Sequence, residues 1–184
     1  MKKYVGVAVA VALFAGAASA AEVLEGDERT ACEVILCLSS GQRPDECTPP
    51  LERYFSIKKK KLSDTLEARR DFLDKCPASS DSSEMKSLVD AIANGAGRCD
   101  VASLNARYAG GGDSEQYISD AMPGYCSTYL NHAYTNLSSI APRYVGTPER
   151  GGYWVEAEQY DQALAEYKAR IKAEDYAASF SGGS

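Results

Sequence analysis

The stretch ACEVILCLSSGQRPDECTPPLERYFSIKKKKLSDTLEARRDFLDKCP, Ala31 to Pro77, decides how this chain folds. It carries four of the six cysteines and three helical patterns within 47 residues. Ala31, Val34, Ile35 and Leu38 recur at helical spacing, which predicts a first helix over Asp27 to Ser39 with Gly41 as its stop. Thr48-Pro49-Pro50 reads as an N-cap followed by prolines in a first turn, where a missing N–H costs little. Leu51, Tyr54, Phe55 and Lys58 then share one face of a second helix. A third restarts at Ser63 or Asp64, with Glu67 placed as in a capping box. Leu66, Phe72 and Leu73 form its buried stripe, and Pro77 ends it.

The cysteines staple these helices. Cys32 and Cys37 lie five residues apart on one helix, about 140° around its axis. They cannot bond to each other without unwinding it, because a disulfide needs Cα atoms under about 7 Å apart. Each must therefore reach another element. Cys47 opens the second helix and Cys76 closes the third, so an antiparallel arrangement favours Cys37–Cys47 and Cys32–Cys76, with Cys99–Cys126 in the second half. The swapped set, Cys32–Cys47 with Cys37–Cys76, satisfies the same constraints and stays open.

Upstream of this stretch, Lys2 and Lys3 precede an apolar run, Val5 to Ala17, and then Ala18-Ser19-Ala20. That is the charged, apolar and A-x-A order of a secretory signal peptide, expected over residues 1–20. The run is too short to span a bilayer comfortably, which takes about 20 apolar residues, and no other stretch is a candidate span. An exported chain with an even number of cysteines reads as a disulfide framework rather than a metal or redox site. Cleavage leaves residues 21–184, long enough for a single helical domain. Its 18 basic and 26 acidic residues carry a formal charge of −8, the wrong sign for general nucleic-acid binding.

Downstream, a four-cysteine helical core over 27–77 gives way to a second helical part over 82–176. Met85, Leu88, Val89 and Ile92 line a fourth helix, about Ser82 to Asn94. Cys99 to Tyr108 reads as a short fifth helix, broken by Gly110-Gly111-Gly112. Another is expected from a cap at Asp113 or Ser114 through Tyr117 and Ile118, and a further one over Tyr125 to Tyr134. Arg143 to Glu156 leaves the helical pattern for two short arms around a turn, which predicts one β-hairpin near 143–156. Tyr160, Leu164, Tyr167 and Ile171 then form the seam of a last helix. Residues 177–184 are expected to be a disordered tail. The fold class is mostly α: a small disulfide-stapled helical domain with one short hairpin.

The chemistry-bearing residues make no catalytic constellation. His132 is the only histidine and reads as a helix-surface residue, so neither a metal site nor any cofactor is expected. There is no nucleophile elbow, phosphate loop or HExxH motif. Lys58, Lys59, Lys60 and Lys61, with Arg69 and Arg70 downstream, form the one strong positive cluster, suited to a phosphate, a lipid head group or an acidic protein surface. Tyr144, Tyr153 and Trp154 concentrate aromatics beside glycines, a composition that anchors interfaces.

The pattern Ala31-Cys32-Glu33-x-Ile35-Leu36-Cys37-Leu38-Ser39, with Glu46-Cys47, Leu51-x-Arg53-Tyr54-Phe55, Arg69-Arg70-x-Phe72-Leu73 and Cys76-Pro77, resembles the TrbM/KikA family of conjugal-transfer proteins. Tyr125-Cys126 and Gly151-Gly152-Tyr153-Trp154 extend the likeness through most of the exported chain. The resemblance implies a periplasmic accessory of a type IV secretion apparatus, whose partners are envelope or conjugation-channel proteins. It implies no catalytic residue. A cell-wall enzyme is the alternative, with Glu33 as its first candidate acid, and a periplasmic inhibitor or toxin-like factor is a third reading.

Overall fold

The computed structural model describes residues 24–109 and 116–181. The signal peptide over 1–20, the glycine run 110–112 with the caps expected at Asp113 or Ser114, and the last three residues lie outside these. Among the described residues, helices α1 (Gly26–Ser39), α2 (Thr48–Phe55), α3 (Leu62–Leu73) and α4 (Ser83–Gly95) come first. They are followed by α5 (Val101–Asn105), strands β1 (Tyr108–Ala109) and β2 (Tyr117–Ile118), and α6 (Gly124–Leu130). Strands β3 (Arg143–Val145) and β4 (Tyr153–Val155) then lead into α7 (Tyr160–Ser181).

Disulfides tie these elements together as Cys32–Cys76, Cys37–Cys47 and Cys99–Cys126, with Cα separations of 4.9, 5.7 and 5.4 Å. The first joins the middle of α1 to the turn that follows α3. The second joins the end of α1 to the start of α2, and the third ties the α4–α5 connection to α6. This is the antiparallel arrangement; the swapped set is not formed.

The main core is built from the faces that the helical spacing selects. Val34 and Leu38 of α1, Tyr54 of α2, Phe72 and Leu73 of α3, and Leu88, Val89 and Ile92 of α4 are all 3% exposed or less. Burying side chains of this kind stabilises by roughly 1.5–3 kcal/mol each. Helices α4 and α6 touch closely at Gly95, where a Cβ would stand 2.5 Å from the Tyr129 Cβ. A second, smaller core joins β3, β4 and α7 through Val145, Val155, Ala163 and Tyr167, with Tyr160, Leu164 and Ile171 against it. Gly146, at φ +83°, passes so near the Tyr167 ring that no side chain fits there.

Several expectations need correction. Gly41 does not stop α1 in a left-handed turn; the chain goes extended at Ser40, and the Gly41 N–H donates to the Asn136 side chain at 2.6 Å. Thr48 is the first residue of α2 rather than its cap, because a 3-10 turn, Asp45–Cys47, feeds it helical backbone already. α3 starts at Leu62 without a side-chain cap, and its Leu66 is only half-buried. The fifth helix is cut to α5, since Tyr108 pairs with Ile118 and Ala109 with Tyr117. Tyr117 and Ile118 therefore form a strand, not a helix. α6 stops at Leu130, which leaves His132 beyond it. The tail is helical through Ser181, where alanines, the best helix formers, let α7 propagate past its packed part.

Arg69 is the largest departure. It belongs by sequence to the positive cluster, yet it is 7% exposed, with its guanidinium 5.1 Å from the Tyr54 ring centre and 5.3 Å from that of Phe55. Its Nε finds no hydrogen-bond acceptor among the described residues. The aliphatic stem packs, the rings hold the cation, and the orphaned N–H costs free energy. Arg69→Met keeps the stem and removes the charge, so its stability in urea unfolding is expected within about 1 kcal/mol of wild type. Arg69→Ala also loses the stem and is expected to cost about 2–4 kcal/mol. Equal losses in the two variants would show that the cation itself holds the core.

Candidate partner-binding site

Two hairpins meet through one tryptophan. β3 and β4 pair antiparallel with Tyr144 opposite Trp154 and Val145 opposite Tyr153. Successive residues of a strand face opposite ways, so Trp154 turns into the main core while its neighbours turn toward α7. Trp154 is 5% exposed; its indole N–H donates to the Ser119 carbonyl at 2.8 Å, and its backbone N–H donates to the Asn105 side chain at 2.7 Å. The Asn105 amide returns a bond to the Trp154 carbonyl at 2.9 Å. Tyr144 packs edge-on against the indole and donates its hydroxyl to the Ile118 carbonyl at 2.8 Å. Desolvation, helped by the Asp120 carboxylate, pushes that phenol up to about 12. These bonds seat β1–β2 against β3–β4.

The seating opens a cleft of about 460 Å³ lined by Tyr108, Tyr117 and Tyr153, with Ile118, Pro148 and Glu149 around them. Tyr108 is 64% and Tyr117 38% exposed, while Tyr153 is half-buried against the second core. Of the aromatics singled out by sequence, Tyr153 thus reaches the cleft. Trp154 and Tyr144 build it from behind, and the buried Trp154 ring offers no face to a partner. Tyr108 and Tyr117 are hidden in the sequence because its spacing places both in helices. The signal was present: two tyrosines flanking a glycine-rich run is also the composition of a hairpin.

Lys58, Lys59, Lys60 and Lys61 lie in the exposed connection from α2 to α3, where the Lys59 N–H donates to the Thr65 hydroxyl at 2.9 Å. A shallow groove of about 420 Å³ beside them includes Arg53, Asp71 and Lys75. Arg53 and Lys75 are both ion-paired to Asp27 at the start of α1. The Lys75 hydrogen bond chiefly holds the Asp27 carboxyl below its ordinary range. Arg70 pairs with Asp90 at 3.0 Å. The positive field is therefore narrower than the sequence suggests: the four lysines carry it, without Arg69 and with Arg70 neutralised.

Another groove, about 580 Å³, has an apolar floor of Leu38, Leu130 and Leu137 and a rim bearing Arg43 and Glu156. Tyr129 forms one wall; its hydroxyl donates to the Leu38 carbonyl at 2.6 Å, and burial raises its pKa to about 12. Glu33 lies outside it, bound to the Arg29 Nε at 2.7 Å on an exposed turn of α1. His132 accepts the Tyr134 N–H at Nδ1, which leaves Nε2 to donate to the Ser87 hydroxyl at 3.2 Å. No group of three or more potential metal ligands gathers among the described residues.

The class so defined is a small, mostly helical domain closed by three disulfides, with a tyrosine-lined cleft between two short hairpins. Disulfides of this kind belong to an oxidising compartment. Among the described residues no helix is long and apolar enough to cross a membrane. The chain belongs to the TrbM family, whose model matches residues 23–168, and it is a conjugation-associated protein. No curated protein and no solved structure matches it significantly.

Proposed function

We propose that this protein is a periplasmic accessory of plasmid conjugation that acts as an interaction or assembly factor for a type IV secretion apparatus. Its partners are envelope or channel proteins, and its role is binding rather than catalysis. The observation that carries the docking part is the tyrosine cleft: three tyrosines, two of them well exposed, on a scaffold held by a buried tryptophan. Tyrosine supplies large contact area with little entropy lost on ordering, which suits a protein-binding surface. Family membership and the disulfide framework support export and a place in transfer.

The test is a plasmid deleted for this gene, complemented with wild type or with Tyr108→Ala/Tyr117→Ala, and scored by transconjugant counts. Deletion is expected to depress transfer and wild type to restore it. The double variant, altered at two exposed positions, is expected to be exported at wild-type levels yet fail to restore transfer. A hot-spot tyrosine lost at each position would weaken binding by about 2 kcal/mol. Transfer unchanged by deletion in several recipients would sink the proposal. Clearing of peptidoglycan by the purified chain would move it to the cell-wall enzymes.

A further inference from the structure

Helix α7 uses one face to hold itself to the body and carries a second apolar face on the other side. Ala163, Tyr167 and, half-buried, Tyr160, Leu164 and Ile171 face the second core. At about 100° per residue, Ala165, Ala169, Ala173, Tyr176 and Phe180 fall together on the opposite side, within an arc of about 80°. All five are exposed, Tyr176 by 69% and Phe180 by 70%, and the two rings meet edge to face at 4.8 Å. Large aromatic side chains left this open are the informative kind of surface residue.

The order of sizes along this face identifies what covers it. Alanines occupy its N-terminal half and aromatics its C-terminal half, both at four-residue spacing. Two such faces laid antiparallel about a two-fold axis near Ala173 are complementary. Tyr176 of each copy enters the gap between Ala169 and Ala173 of the other, and Phe180 enters the gap between Ala165 and Ala169. One register satisfies both contacts because the two spacings are equal. Glu174 and Asp175, close to the axis, are already paired with Arg150, and Glu174 also with Arg170, so the approach does not oppose bare carboxylates. An isologous contact requires this self-complementarity, and a face of alanines alone or aromatics alone would lack it.

We propose that this face of α7 joins two copies of the chain as an antiparallel helix pair. The contact spans about 22 Å of helix, from Ala165 to Phe180. That places it with the small, exchangeable interfaces rather than the obligate ones. The inference is independent of the role in transfer and of the tyrosine cleft.

Sedimentation of the exported, oxidised chain over a wide concentration range tests it. The weight-average mass is expected to rise from that of one chain toward twice that value. Phe180→Glu and Ala169→Glu should each hold it at one chain, the second without removing any aromatic. Both positions are exposed, so both variants should keep the wild-type thermal midpoint. Cysteine probes report the direction of the pairing. Ala173→Cys, near the axis, should join two chains under mild oxidation, whereas Phe180→Cys, opposite position 167, should not. A chain that remains monomeric at the highest concentration overturns the proposal. So does a dimer that survives either glutamate, or a cross-link at 180 in preference to 173, which would mean a parallel pair.

Discussion

Replacing Cys32 and Cys76 together by alanine is expected to lower the unfolding free energy by about 4 kcal/mol, the largest loss among the three bridges. The reason lies in the unfolded chain. This bond closes a sequence separation of 44, against 27 for Cys99–Cys126 and 10 for Cys37–Cys47. Loop-closure entropy grows only with the logarithm of that length, so the shortest bridge is still expected to contribute about 3 kcal/mol. The gap of about 1 kcal/mol is resolvable by urea unfolding under non-reducing conditions. Either single replacement should lose as much as the pair, because one cysteine without its partner supplies no constraint. Native protein should resist thiol alkylation until reduced, and intact mass should be six protons below that of the free-thiol chain. A larger loss from Cys37→Ala/Cys47→Ala would mean that native packing at the α1–α2 corner outweighs chain entropy.

Trp154→Ala is expected to cost a similar amount, about 3–5 kcal/mol, and to do more local damage. The ring is buried, it lies edge-on to Tyr144, and its N–H satisfies the Ser119 carbonyl. Removal leaves a cavity and a polar group without its partner, and both terms act in one direction. Trp154→Phe separates them: most of the packing survives and chiefly the indole hydrogen bond is lost, so about 1–2 kcal/mol is expected. Hydrogen exchange should locate the effect. Amides of β1, β2 and β4 should lose protection in Trp154→Ala, whereas the α1–α3 core, tied by its own disulfides, should keep it. Uniform loss of protection across both regions would show that the hairpins and the stapled core unfold as one unit.

The cleft depends on this tryptophan, and only part of it is legible in the sequence. Tyr153 is legible because aromatics beside glycines suggest an exposed turn, and it lines the cleft. Trp154, one residue on, shares that composition, but a strand turns neighbours to opposite faces. Tyr108 and Tyr117 are hidden for a different reason. Each belongs to a strand of two residues, too short for any period to declare itself. Only pairing across the connection, and docking onto Tyr144 and Trp154, makes them strands.

What the sequence by itself determined is whatever depends on local spacing. The helical faces of α1 to α4 were legible because apolar residues at three- and four-residue steps can be buried in only one way. The four cysteines of the first half narrow to two pairings because Cys32 and Cys37, on one helix, cannot reach each other. Tertiary structure decided the rest: which pairing forms, that Arg69 sets its charge against two rings, and that α7 continues beyond its packed seam. Each is a contact between residues distant in sequence, or a length set by propagation rather than by a stop signal. A guanidinium reads as surface until the fold sets it against the rings of Tyr54 and Phe55. Burial is a property of neighbours, and neighbours are known only once the chain has folded.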